Sequence, residues 1–458
     1  MRHLSLAVLA LTLAACSLDP RHTDTPSLPL PTHFSVDPRF VAVSATPGQE
    51  PPWWQGFHDA ELDALEQHLQ GNQDLVAQLH HVEQTQALLQ GQQATLWPQL
   101  DLAAGASNQQ LSRTRATYYP GFPYRYTDQQ LALALSWEPD VFGRLHDEIR
   151  IAHSLWRADE DDLHALRLSL QAELAQAYIG LLADHQMQAL LQAQVADSRR
   201  YAELVRSDFE HGATVISDVD AAASAADADR QNLDQLNADI AVQEHAIALL
   251  LGHAAGSFQP KLAAQLPNVQ MRDRLPASVL ARRPDVARAR HLLQVAEAQI
   301  GLARTAYFPR FQLSAGAGFE SGSPQDLFDV PSELWSLGAS SLVTLFDAGQ
   351  RKALNAQARA AYEESVARYR QSALNALREA EDARRRLASS LTRRDLQTHR
   401  SALADEQATQ VDGAVQAGMS SDLDLLQARL QARQSHIDLI QLQSLSLSDD
   451  IAWLVAID

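Results

Sequence analysis

The chain of 458 residues carries a formal net charge of −19, and only 6% of its residues are aromatic. The negative charge argues against a nucleic-acid partner, because binding to phosphates requires a basic face. Basic residues do cluster between Arg378 and Arg400, but acidic residues are mixed among them, which is typical of a solvated helix face. With Cys16 as its single cysteine, the chain cannot form an intramolecular disulfide.

Residues 1–15 predict a lipoprotein signal peptide. Arg2 and His3 precede an apolar run of 12 residues, which is too short for a membrane-spanning helix but typical of a signal peptide. The run ends in the letters LAAC, which resemble a bacterial lipobox. We therefore expect a covalent lipid, with palmitate among its acyl chains, on Cys16. Because Ser17 and not an aspartate follows, the lipobox resemblance implies the outer membrane as destination. An ordinary signal peptide with a chance cysteine is the alternative.

Residues 16–52 predict a lipidated, extended tether, because eight prolines between residues 17 and 52 prevent a packed element. No later segment has eighteen consecutive apolar residues, so the sequence predicts no transmembrane helix.

Four segments alternate apolar residues with small or polar ones and predict strands at 99–109, 128–138, 310–320 and 335–345. Each has about ten residues, the length that a tilted strand needs to cross a membrane. A soluble, half-buried sheet would give the same alternation. Four strands cannot close a barrel, so transmembrane strands would require several chains to share one barrel.

Long helices follow each strand pair. Two proline-free stretches of 69 residues run from Gly143 to Gly212 and from Gly349 to Gly418, and they predict helices roughly 100 Å long. Beyond Gly418, leucines and isoleucines keep the three-four spacing of a coiled coil as far as Leu454, interrupted only at Arg433 and Ser444.

The two halves of the chain repeat each other at an offset of 206 residues, which separates Gly143 from Gly349 and Gly212 from Gly418. We interpret the chain as a tandem duplication with repeats at 53–252 and 276–458 and a linker at 253–275. Each repeat reads as a helix, a strand pair and a helical hairpin, with tips near residues 212 and 418.

Several motifs resemble those of one family. They are NQDL at 72–75, SWEPDVFGR at 136–144, LFDAGQR at 345–351 and LARRPDVARARHLLQVAEAQIGLARTAYFPRFQL at 280–313. The chain is similar to TolC-type outer-membrane efflux proteins, in the NodT/OprM lipoprotein branch. This resemblance implies an α+β fold of mostly long α-helices, forming a homotrimer. Four strands per chain would build a shared 12-stranded outer-membrane β-barrel, continued by an α-helical coiled-coil barrel in the periplasm of a Gram-negative bacterium.

The resemblance also implies a gate at the hairpin tips, where rings of acidic side chains constrict the tunnel. The first ring position falls on Asp424, the second on Gln427, and Asp218 is the counterpart of Asp424 in the first hairpin. The tyrosine and arginine that lock the closed state in the family fall on Val415 and Ser420, so that lock is absent.

The tips also have a local interpretation. Ser421 and Ser217 precede acidic residues, as expected of helix N-caps, so both aspartates could act in capping alone. Gly212 and Gly418 are expected to supply left-handed turns. The resemblance implies that the same tips contact a periplasmic adaptor protein.

The sequence offers no nucleophile, phosphate loop or metal site, and the adjacent His80 and His81 do not have ligand spacing. We therefore predict no enzyme activity and no cofactor other than the lipid. The predicted function is the exit duct of a tripartite, RND-type efflux pump with an adaptor and an inner-membrane pump as partners. Two alternatives stay open, namely a type I protein-secretion duct and a non-conducting periplasmic coiled-coil lipoprotein.

Overall fold

The computed structural model describes residues 41–42, 52–116, 119, 121, 123–257, 261–263, 265–267, 272–273 and 282–458. The predicted signal peptide, Cys16 and nearly all of the tether lie outside the described residues. The chain divides into two units. Among the described residues, the first unit contains His81–Glu160 and Arg288–Arg370. The second contains the residues up to His80, together with Asp161–Ala287 and Gln371–Asp458.

Long helices make up most of the described chain. The helices are α1 (Ala60–His68), α2 (Gln73–Ala94), α3 (Arg144–Glu210), α4 (Ile216–Leu250), α5 (Pro284–Thr305), α6 (Gln350–Gln416) and α7 (Asp422–Ile457). The strands are β1 (Gln99–Gln110), β2 (Arg125–Trp137), β3 (Arg310–Ser321) and β4 (Glu333–Leu342). A short parallel pair joins Val41–Ala42 to Arg272–Asp273. In the described part of the chain, no helix combines the length and the apolar character needed to cross a membrane.

The first unit contains an antiparallel sheet in the order β1-β2-β3-β4. Its register confirms the predicted alternation, because Leu102, Leu133, Ala317 and Trp335 form one row across the four strands. Leu102 is 68% exposed and Trp335 80% exposed, so this apolar face is open. Small and polar residues occupy the other face, where a side chain on Gly318 would collide with the backbone of β2.

The last strand differs from the predicted range of 335–345. It begins at Glu333 and ends at Leu342, which pairs with Arg310, the first residue of β3. Residues after Leu342 have no partner on β3, so they leave the sheet although Val343 and Leu345 continue the apolar pattern.

A glycine and an acidic residue start each of the two longest helices. Gly143 and Gly349 both have positive φ, at 79° and 93°. Asp140 accepts a hydrogen bond of 2.9 Å from the backbone N–H of His146. Asp347 accepts from the N–H groups of Gly349 and Arg351 at 3.0 and 3.1 Å. The motifs around these residues therefore cap the starts of α3 and α6.

In the second unit, four helices lie side by side in the order α4-α3-α7-α6. Side-chain hydrogen bonds join α3 to α4 and α6 to α7, and an ion pair between Asp197 and Arg433 joins α3 to α7. Met187, Leu191 and Ile437 pack together between the two hairpins. Helices α4 and α6 are therefore the outer flanks of this order.

Each repeat closes on itself in a similar way. Asn72, which caps α2 through Asp74 and Leu75, also donates a hydrogen bond of 2.9 Å to the carbonyl oxygen of Leu250 at the end of α4. Arg283, just before α5, donates at 2.9 Å to the carbonyl oxygen of Ala456 at the end of α7. Leu250 and Ala456 are 206 residues apart. Two motifs of the family resemblance thus have the same structural role.

Candidate functional site at the hairpin tips

Both hairpins turn through the same helix-ending motif. Gly212 has φ 74°, its N–H bonds to the carbonyl of Phe209, and the next N–H reaches back to Asp208. Gly418 has φ 70°, and the equivalent bonds run from Gly418 to Val415 and from Met419 to Ala414. This is the Schellman arrangement, in which a left-handed residue satisfies the last helix carbonyls. Glycine is favoured at both positions because it adopts positive φ without strain.

At the second tip, α7 begins with a complete capping box. The Ser421 hydroxyl accepts a hydrogen bond of 3.2 Å from the N–H of Asp424, and the Asp424 carboxylate accepts one of 3.0 Å from the N–H of Ser421. The hydroxyl groups of Ser420 and Ser421 also donate to the same oxygen, Oδ2, at 2.9 and 2.7 Å. These hydrogen bonds, led by that from the Ser421 backbone, lower the pKa of Asp424 below its ordinary value of 3.8.

The first tip is built differently, and the expectation that Ser217 caps α4 is wrong. The N-cap is Val215, which has no side-chain hydrogen bond to the helix. The N-cap lies three residues after the turn glycine in both hairpins, so Val215 takes the place of Ser421 and Ser217 falls inside the first turn. Asp218 accepts a hydrogen bond of 2.5 Å from the hydroxyl of Thr214.

Gln427, the predicted second ring position, follows Asp424 by three residues on α7. Both side chains are exposed, and the side chain of Gln427 makes no hydrogen bond to any described residue. The absent lock would have used positions 415 and 420. The hydroxyl of Ser420 donates a hydrogen bond to Asp424, and the backbone carbonyl of Val415 accepts one from the N–H of Gly418 in the turn. The structure therefore brings Asp424 together with serines and leaves Gln427 unengaged in the described chain.

The two tips are joined to each other by apolar contacts. Val205, Val219 and Ala222 form a buried cluster in the first hairpin, and Leu423 of the second hairpin packs against it. Leu423 lies between Asp422 and Asp424 in the first turn of α7. Leu423 therefore links the first turn of α7 to the first hairpin.

The first tip is more apolar than the second. Val215 and Ile216 are 59% and 56% exposed, whereas Ser421 and Asp422 occupy the equivalent positions 206 residues later. Met419 is the exposed apolar residue of the second tip, at 78%. Sequence reasoning placed the glycines and aspartates of the tips but missed this apolar pair, although the shared offset could have revealed it.

Among the described residues, no group of three or more histidine, cysteine, aspartate or glutamate side chains could hold a metal ion. Asp424, the most engaged carboxylate of the tips, bonds only to residues of its own turn.

Comparisons with known proteins agree with the fold. The sequence model of the outer membrane efflux protein family matches residues 64–253 and 275–452. The pyoverdine export outer membrane protein OpmQ of Pseudomonas aeruginosa is 28% identical over 445 residues, which cover 94% of this chain and 90% of OpmQ. The cation efflux system protein CusC of Escherichia coli is 27% identical over 384 residues, covering 82% of this chain and 80% of CusC.

A solved structure extends the comparison to three dimensions. The outer-membrane channel OprN superposes with a TM-score of 0.83 at 25% identity, covering 96% of this chain and 99% of the OprN chain. Since the family model matches most of the sequence, the chain belongs to the outer membrane efflux protein family and is an outer-membrane efflux channel of a Gram-negative bacterium, with its helical part in the periplasm, and not an enzyme.

Proposed function

We propose that this chain is the exit duct of a tripartite, RND-type efflux pump. It conducts small molecules or ions passively from the periplasm to the exterior, an inner-membrane pump supplies the energy, and a periplasmic adaptor joins the two. The names of OpmQ and CusC support a cargo of low mass, because pyoverdine and cations are both small.

The duct is a homotrimer in this proposal. The observation that carries it is the sheet, whose outer strands β1 and β4 each have a partner on one side only. Unpaired strand edges are costly in lipid, where no water is available to satisfy their backbone groups. Neighbouring copies would supply the missing partners, and three copies would contribute twelve strands to one closed sheet.

The gate of the duct is the ring that three copies of Asp424 would form at the tips. The Asp424 carboxylate is exposed, and its local hydrogen bonds favour the charged form. Three such charges around one axis would attract cations and impede anions. Gln427 adds a polar, uncharged ring, and Asp218 adds a charge on the first hairpin. The glycine turns at Gly212 and Gly418 would present the tips to the adaptor.

Single-channel conductance in a planar bilayer tests the gate. We expect Asp424→Asn to raise the conductance and to weaken the preference for cations, because it removes the charge of the constricting ring. The side-chain oxygen of asparagine can still accept the capping hydrogen bond, so this variant keeps the cap. Ser421→Ala is the matched control, since it removes the cap and keeps the charge. If Ser421→Ala changes the conductance and Asp424→Asn does not, Asp424 acts through capping alone. If the wild-type protein does not conduct at all, the duct itself is refuted.

The N-terminus adds a second attachment to the membrane. We propose that Cys16 carries the covalent lipid and that residues 16–52 tether it to the folded part. The lipobox letters and the proline content of the tether support this proposal.

A further inference from the structure

The hairpin formed by β1, β2 and the loop between them is basic in an otherwise acidic chain. Between Asp101 and Asp128 the sequence has three arginines and no aspartate or glutamate. The loop between β3 and β4, residues 322–332, has the opposite character, because Asp326 and Asp329 are its only charged residues. Cationic groups at the loop end of the sheet are therefore concentrated on the first hairpin.

This hairpin extends beyond the rest of the sheet at the end of the strands away from the helices. Gln110 pairs with Arg125 at the end of the hairpin, whereas the pairing of β2 with β3 stops at Gln129. In the described chain, residues 125–128 therefore have β1 as their only strand partner. Because the helical part of the protein is periplasmic, the extension points to the exterior.

The two faces of the extension carry opposite charges. Arg125 shares a face with Leu131 and Leu133, because even numbers of residues separate the three along β2. This is the exposed apolar face of the sheet, and Asp128 belongs to the opposite face. Arg125 is six residues, or about 20 Å along the strand, beyond Leu131. A cation thus follows the apolar residues on the same side of the sheet.

Two of the three guanidinium groups are held in place without being neutralised. Arg113 lies over the ring of Tyr124, the residue before Arg125, at 3.8 Å from the ring centroid. The Nε of Arg125 donates a hydrogen bond of 2.6 Å to Oε1 of Gln110. Both arginines are exposed, and neither has an ion pair with any residue that the structure describes. Their terminal N–H groups are therefore available to an external anion.

Phosphate on a lipid is the anion that fits this position. Arginine donates parallel hydrogen bonds to phosphate oxygens and remains charged at every physiological pH. Basic side chains next to a membrane-facing surface are typical of binding to anionic lipid headgroups. The outer leaflet of a Gram-negative outer membrane presents phosphorylated sugars directly above its acyl chains. The apolar rows of the sheet and the arginines beyond them follow the same succession.

We propose that Arg113 and Arg125 bind phosphate groups of the glycolipid that forms the outer leaflet around the channel. The acyl chains of this lipid contact the apolar rows of the sheet, while its phosphorylated sugars reach the two arginines. The inference rests on the proposed function, because the closed sheet of the duct places this face against lipid. It adds a ligand, a phosphorylated glycolipid, that conduction itself does not require.

Lipid binding to the full-length, detergent-purified protein tests the proposal. The probe is lipid A with two phosphate groups, titrated without divalent cations and counted on the protein by native mass spectrometry. Arg113→Gln with Arg125→Gln should raise its dissociation constant at least about tenfold, because two cations are lost from each chain. The matched control is Arg199→Gln with Arg200→Gln, which removes the same charge from exposed positions on α3. It should bind lipid A like the wild type.

Lipid A without its phosphate groups separates recognition of phosphate from contact with acyl chains. It should bind the wild type and the Arg113/Arg125 variant equally, which also shows that the variant is folded. If the wild type binds both forms of lipid A equally, or if the variant binds the phosphorylated form like the control, the lipid site is refuted.

Conductance of the same preparation in a planar bilayer separates this failure from that of the duct. A wild-type protein that conducts but does not prefer phosphorylated lipid A refutes the lipid site alone. A wild-type protein that does not conduct refutes the proposed function, and with it the placement of this face against lipid.

Discussion

Three hydrogen bonds converge on Oδ2 of Asp424 and leave Oδ1 with none from the described chain. One oxygen thus stabilises the helix start, while the other takes no part in this local network. Because the pKa is lowered from 3.8, the stabilising contribution is present above that value and is lost as the pH falls through the lowered pKa. At neutral pH the tip keeps both its cap and its charge. Capping and gating are therefore compatible in one residue.

Glu66 presents the opposite case of a carboxyl group in an unfavourable place. It is 4% exposed in α1, and neither of its carboxyl oxygens has a hydrogen-bond partner among the described residues. Burial, with a smaller contribution from the charge of Asp63, raises the pKa of Glu66 to about 8. Glu66 shares the helical face of Leu62, Leu65 and Leu69, all of them buried. That spacing could have revealed its burial from the sequence.

The raised pKa of Glu66 gives a pH-dependent stability. Between its ordinary pKa of 4.5 and about 8, the folded protein holds a proton that the unfolded chain releases, so stability falls as the pH rises through this window. We expect Glu66→Gln to remove most of this fall, which at about 1.4 kcal/mol per pKa unit amounts to a few kcal/mol. Thermal unfolding at pH 5 and pH 9 measures it. The exposed control is Glu210→Gln. If the wild type, Glu66→Gln and this control all lose stability equally as the pH rises, Glu66 is not the source of the pH dependence.

At the scale of elements, the turn glycines set where each hairpin reverses. The sequence predicted both turns because a glycine ends each proline-free stretch. It did not predict that the N-cap of the following helix lies three residues later, whatever side chain stands at that position. Val215 therefore occupies a cap position that its side chain cannot use, and Ser217 is not a cap. Local side-chain preference was overridden by the geometry of the turn.

Alanine substitution distinguishes the turn glycine from an ordinary helix glycine. Gly418→Ala should destabilise the second tip by about 1–2 kcal/mol, because its φ of 70° is strained for alanine. Gly413→Ala, inside α6, should stabilise the helix by about 0.5–1 kcal/mol. An added Cβ meets nothing within 4 Å at either position, so backbone conformation alone separates them.

Hydrogen exchange of peptides that cover residues 405–430 measures both effects in the intact protein. Exchange should be faster than in the wild type for Gly418→Ala and slower for Gly413→Ala. Equal changes in the two variants would show that the left-handed turn is not under strain.

The strands show how far a periodic pattern carries. Alternation predicted all four, and their register confirms that the apolar positions share one face. The pattern could not give the end of β4, because that end depends on where its partner β3 begins. Periodicity reports the face that a residue occupies, whereas pairing decides which residues belong to the strand.

At the scale of the whole molecule, each unit exposes one element from the first repeat and one from the second. In the first unit these are the sheet edges β1 and β4, and in the second unit the helical flanks α4 and α6. A duplicated chain with unlike ends can join its copies head to tail. The duplication, read from an offset of 206 residues, therefore accounts for both the internal fold and the surfaces left for other copies.

The proposed lipid on Cys16 and the apolar face of the sheet would attach the chain to the membrane independently. We expect Cys16→Ser to abolish incorporation of labelled palmitate, because the thiol that would receive the lipid is lost, and to leave most of the protein in the outer-membrane fraction after carbonate washing. The double variant Leu102→Asp with Trp335→Asp places charges on the exposed apolar face. It should still incorporate labelled palmitate but should integrate less firmly into the membrane. A chain that leaves the membrane fraction as soon as Cys16 is replaced would contradict a membrane-embedded sheet, because the lipid would then be the sole attachment.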